Sequence, residues 1–220
     1  LYSSAASDVY KRQIFIMGKV DDNKQQKLNA LLNAAYDLFT TQSVEKTTIA
    51  EISKAADVAK GTFYLYFKDK YEIRNRLISH ESSKLFKDAV AALEKKSSTA
   101  SEEPAFEEKM IFIINYIVDA LEDNHSLLTF ISKNLSWGVF KEALTTNVAS
   151  NDINFKDIYY EMLSTSGLSI EEPEILLFLV VELVGSTCYS SILYNEPANI
   201  GRIKPYLSRT VRAIIREYSK

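Results

Sequence analysis

Glycine (6) and proline (4) are scarce in this chain of 220 residues, and there is one cysteine, Cys188. Sandwiches and barrels need many turns, and a doubly wound fold needs glycine-rich strand-to-helix loops, so the shortage argues against both and leaves helices. A lone cysteine can neither close an internal disulfide nor build a cysteine-cluster zinc site, and the two histidines, His80 and His125, have no ligand spacing. No metal and no cofactor are expected, and the interior is that of a reduced, cytoplasmic protein. The sequence also lacks a glycine-rich phosphate loop, a G-x-S-x-G elbow and a histidine beside a nucleophile, so an enzyme is not expected.

What is present is an ordinary globular composition with an uneven charge. Hydrophobic residues make up 46% and charged residues 25%, enough for a sizeable core. The net charge of -3 conceals +3 over residues 24–76, -12 over 101–200 and +5 over 201–220. Electrostatic steering depends on where charges sit, so the N-terminal part can face a polyanion although the whole chain is acidic.

Residues 1–16, LYSSAASDVYKRQIFI, lack the features of a secretory signal and precede Met17; with the next few residues they read as a disordered or non-native leader, 1–23. From Lys24 an apolar stripe of Leu28, Leu31, Leu32, Ala35, Leu38 and Phe39 predicts a helix over 24–41. Thr48-Ile49-Ala50-Glu51 has the spacing of a capping box and opens a second helix, to about Ala56. After Asp57-Val58, residues 59–67 predict a short third helix, and Lys70 onward a long fourth one. Past the Ser- and Glu-rich linker 97–104, helices are expected over 105–123, 126–145, 153–165, 172–195 and 200–219. The stretch Ile175–Tyr194 carries one charge, Glu182, and is long enough to span a bilayer. Its mid-segment carboxylate and polar second half favour a helix buried between core and partner, with no membrane.

Two short helices with a tight turn, the second bearing Lys60, Gly61, Thr62, Tyr64 and Tyr66, match a helix-turn-helix that lays its second helix in the major groove. Lys27, Lys60 and Lys70 can neutralise phosphates. Gly61 permits close backbone approach, and Ala59 stands beside it at the helix entry. Thr62 offers a hydroxyl and a methyl to base edges, while Tyr64 and Tyr66 can donate to phosphates. Thr47 and Thr48, at the entry of the second helix, can present hydroxyls and the helix N-terminus to another phosphate. Phe63 and Phe67, spaced i, i+4, are core.

These residues carry a resemblance. Residues 28–77, with AA..LF, TT.AEI, KGTFY.YF and K.K, resemble the DNA-binding head of the tetracycline-repressor (TetR/AcrR) family. Where that family usually has glycine, this chain has Gln42-Ser43-Val44 in the first connection and Asp57 in the second; Asp enters the left-handed region at ~1 kcal/mol against glycine.

The resemblance implies an all-α protein with a three-helix head, 24–70, joined by a long helix to a helical effector-binding and dimerisation domain, 71–220. It further implies double-stranded DNA as partner, a homodimer through the last two helices, and a small-molecule effector. Tyr116, Phe130, Trp137, Phe140 and Tyr189 are the pocket candidates, and the acidic body favours a cationic or neutral effector. The expected function is a ligand-responsive regulator, usually a repressor, on a palindromic operator; the alternative is a helical dimeric interaction module that does not bind DNA.

Overall fold

A computed structural model describes residues 3–99, 102–134 and 155–220, with side chains for all of these except 3–22, 133 and 134. Among the described residues there are nine helices: α1 Ser3–Gln42, α2 Ile49–Ala55, α3 Lys60–Phe63, α4 Lys70–Ser97, α5 Phe106–Asp123, α6 His125–Asn134, α7 Phe155–Thr165, α8 Pro173–Leu193 and α9 Ile200–Glu217. The chain is all-helical, apart from an isolated bridge between Ile170 and Ser219. It divides into two compact units, Leu1–Arg74 and Asn75–Lys220, with the boundary inside α4.

In the first unit α1 packs on α2 and α2 on α3. The expected stripe closes the core: Leu31, Ala35 and Phe39 of α1 are buried with Val44, Ile52, Phe63, Phe67 and Ile73. The helix predicted from Lys24 is longer: α1 begins at Ser3, inside the stretch read as a disordered or non-native leader. The stripe marks where a helix packs, whereas a helical backbone continues until something stops it, and the first proline in the chain is Pro104.

In the second unit α5 and α9 run antiparallel, and charge pairs fix their register. Arg216 reaches Glu107 at 3.3 Å, Arg212 grips one Glu108 oxygen through Nε (2.9 Å) and Nη2 (2.7 Å), and Lys204 pairs with Asp119. The basic tail is thus largely a complement to the acidic body. A second layer packs α4, α5 and α7 through Phe86, Ala89, Leu93 and Ile113, with Phe155 against Phe86 at a ring separation of 4.0 Å. α8 opens with Pro173 in its first turn, where a missing N–H is harmless, and packs on α5, α6 and α9.

Candidate nucleic-acid interface

The interface is assembled by local hydrogen bonding that the sequence largely specifies. Thr48 caps α2: its Oγ1 accepts from the Glu51 N–H (3.2 Å), and the Glu51 carboxylate accepts from the Thr48 N–H (2.8 Å) and hydroxyl (2.7 Å). These bonds, the hydroxyl's first, hold the Glu51 carboxyl below the usual carboxylate range. At the far end of α2 the chain turns sharply at Asp57, whose φ of 51° is left-handed as expected for the residue standing in place of glycine. Ser43, in the first connection, also adopts positive φ, 78°. Both glycine-type turns are therefore kept without glycine.

α3 itself is a single turn, shorter than the helix expected over 59–67. Ala59 is its extended N-cap, with the Thr62 N–H donating to the Ala59 carbonyl at 2.8 Å. Beyond Phe63 the chain continues as tight turns, the N–H groups of Tyr66 and Phe67 both donating to the Phe63 carbonyl at 3.0 Å. Phe63 and Phe67 are fully buried with ring centroids 5.4 Å apart, so the segment is pinned at two points.

What lies between and before those anchors faces outward. Ala59, Lys60, Gly61 and Tyr64 are exposed, Tyr64 by 52% with its ring nearly perpendicular to that of Phe63. Thr62 and Tyr66 are half-buried. A Cβ added at Gly61 would meet nothing within 4 Å, and its φ is not positive. The fold does not require glycine there, although glycine in a helix costs about 1 kcal/mol against alanine. Lys27 is exposed on α1.

Two predicted contacts are placed otherwise. Thr47 is buried, its hydroxyl donating to the Ser43 carbonyl at 2.7 Å while Gln42 Nε2 donates to it, so it does not present a donor to a phosphate. Lys70 Nζ donates to the carbonyls of Glu45 (2.9 Å) and Thr47 (3.2 Å), tying the first residue of α4 to the connection between α1 and α2. Its charge sits on the head's own backbone. Thr48 is exposed, but its hydroxyl serves Glu51. Sequence reasoning missed Leu65, which is 81% exposed, and Tyr71, 48% exposed, whose ring lies under the Arg74 guanidinium. The signal for Leu65 was available: it is off the Phe63, Phe67 stripe.

The second unit contains a cavity of about 170 Å³ walled by α4, α5, α6, α7 and α8. Its lining is almost wholly apolar, including Phe86, Ile113, Ile117, Phe155, Val180 and Val184, with Ser82 and Ser83 as the polar exceptions. The described aromatic candidates, Tyr116, Phe130 and Tyr189, are not among its lining residues. Tyr116 packs on the Phe86 and Ile113 cluster, and Phe130 is buried. Tyr189 shares a hydroxyl contact of 3.1 Å with Tyr194. Trp137 and Phe140 lie outside the described residues. Each of the three described rings is thus engaged by neighbours, and the described walls are mainly aliphatic, with Phe86 and Phe155 among them.

Comparison with known proteins agrees with this geometry. Residues 31–77 match the model for bacterial regulatory proteins of the tetR family. A fatty acid metabolism regulator protein of Bacillus subtilis (strain 168) is 30% identical over 105 residues, 47% of this chain. That match spans about half, 50%, of the relative's own length. Among solved structures, a tetR-family regulator from Shewanella sp. PV-4 superimposes with a TM-score of 0.60 at 16% identity, covering 88% of this chain and 98% of that one. FadR of Thermus thermophilus, a TetR-family repressor solved with lauroyl-CoA, gives a TM-score of 0.57 at 16% identity over 86% and 93%. The shared fold thus extends through both units.

Proposed function

We propose, from the premise that its head makes this chain a member of the tetR family of bacterial regulatory proteins, that it is a ligand-responsive transcriptional repressor binding a palindromic operator as a homodimer. The observation that carries the reading is the 59–66 segment, pinned by buried Phe63 and Phe67 and exposing Lys60, Gly61 and Tyr64. Lys60 neutralises phosphate, Tyr64 and Tyr66 donate to phosphate oxygens, and Thr62 meets base edges. The absence of any demand from its own fold for glycine at 61 favours a role in close approach to another surface.

One such short helix reads few base pairs, and a two-fold pair spaced by about 34 Å reads a palindrome. α8 supports pairing. Its first half is apolar apart from Glu174 and Glu182, only 33% of its most apolar 18 residues are buried, and Ile175 and Leu179 lie exposed one turn apart. The effector is read as a molecule with an acyl-type apolar tail: the cavity has apolar walls, and the relatives above include a fatty acid metabolism regulator and a lauroyl-CoA complex. A ligand there changes DNA affinity only by binding the DNA-free and DNA-bound states unequally.

Selection of duplexes from a random pool tests the reading. A recovered palindrome, with log affinity falling against log salt at a slope near about -7 for four phosphates per subunit, supports it; a flat salt response, or no duplex recovered, overturns it. Lauroyl-CoA added to the complex is expected to release the duplex.

A further inference from the structure

Leu65 is the most exposed large apolar side chain among the described residues, at 81%. A single exposed leucine needs no explanation by itself, because over half of a protein surface is apolar. This one differs in its setting. It stands between Tyr64 and Tyr66, two positions from each buried anchor, Phe63 and Phe67. Its own N–H donates to the Thr62 carbonyl at 3.2 Å, and the N–H of Tyr66 is held by the Phe63 carbonyl. The backbone under the leucine is therefore a hydrogen-bonded turn, so little backbone freedom is lost when a partner covers the side chain.

The neighbours of Leu65 that can reach DNA are polar or cationic, and contacts of that kind to phosphate carry no sequence information. An aliphatic tip on the same surface has no hydrogen bond to offer. In the major groove, the apolar group that distinguishes one base pair from another is the thymine 5-methyl. We infer that Leu65 is a specificity-determining residue that packs on a thymine methyl in each half-site. The inference rests on the DNA-binding reading above and adds to it the residue that selects A·T at one position. It also divides the labour on this surface: Lys60, Tyr64 and Tyr66 set affinity and register, whereas Leu65, with Thr62, sets preference.

The test uses the full chain and the duplex recovered by selection. Each thymidine of one half-site is replaced singly by deoxyuridine, which removes the methyl and keeps every hydrogen-bonding group. Affinities are measured for the unaltered protein and for Leu65→Ala, with thermal melting of both as a check on folding; so exposed a side chain leaves the melting unchanged. At one thymine the expected result is about fourfold weaker binding by the unaltered protein. Leu65→Ala should bind the parent duplex more weakly by a similar factor and ignore that replacement. Equal sensitivity of both proteins to deoxyuridine at every position, a uniform loss across unrelated duplexes, or a recovered half-site without thymine overturns the inference and leaves the DNA-binding reading standing. Failure to recover any duplex overturns both.

Discussion

The two units treat apolar surface in opposite ways. In the first, short helices converge on a filled centre, with Leu31, Ile52, Phe63 and Ile73 at 0% exposure, and apart from the single tip of Leu65 the outward side of the 59–66 segment is left to alanine, lysine, glycine and tyrosine. In the second, longer helices border a partly open cavity of about 170 Å³ and leave Ile175 and Leu179 of α8 uncovered. Tight packing fixes the position of what it carries, because a core near crystal density transmits strain and admits few alternatives. A void with apolar walls and an uncovered apolar helix face are the features of a unit built to take up something else. On the proposed function, the first unit presents a surface to DNA, and the second receives a ligand and a partner.

The sharpest way to break that contrast is to delete volume from the head. Phe63→Ala is expected to cost about 3–5 kcal/mol, read by urea denaturation, and to abolish duplex binding. A cost under about 1 kcal/mol would mean the head is not tightly packed. The reverse change belongs in the body: Val184→Phe, directed into the cavity, should leave melting nearly unchanged and duplex binding intact while weakening release by lauroyl-CoA tenfold or more. A drop in stability of several kcal/mol would show that the body has no slack.

Gly61→Ala separates folding from presentation. With nothing within 4 Å of the new methyl, it should stabilise the chain by up to about 1 kcal/mol and still weaken duplex binding. Gains in both would remove the reason given for the glycine. Asp57→Gly, at a φ of 51°, should raise thermal stability slightly, by up to about 1 kcal/mol, and preserve DNA binding. The smallest effect is expected on the helix pair of the body. A double-mutant cycle on Arg212 and Glu108, both partly exposed, should give a coupling of about 0.2–1 kcal/mol that shrinks with salt. A larger coupling would make the α5 to α9 ladder a main support of the fold rather than a guide to its register.

The residues that were legible share a short reach. Thr48 and Glu51 are three apart, and the positive φ at Asp57 follows from the turn in which it stands, so neither needed knowledge of the rest of the chain. The residues that were misjudged have partners farther away or of a kind the pattern does not signal. Lys70 reads as a free cation, yet its ammonium finds the carbonyl of Glu45, 25 positions back. Thr47 reads as an exposed hydroxyl beside a helix start, yet it is buried and bonded to Ser43. Leu65 was read inside a helix over 59–67, and the helix stops at Phe63. In the body, the cavity is lined mainly by aliphatic side chains with Phe86 and Phe155 among them, and none of the described aromatic candidates, Tyr116, Phe130 and Tyr189, is a lining residue.

The order of amino acids alone determined the helical class, the capped entry to α2, the left-handed turn and the anchoring pair of phenylalanines, since propensity, capping and apolar period act within a few residues. Folding in three dimensions decided where the ammonium of Lys70 points, which leucine is displayed, and where the body keeps empty space. Those outcomes depend on contacts between segments tens of residues apart, and a local pattern carries no record of the distances between them.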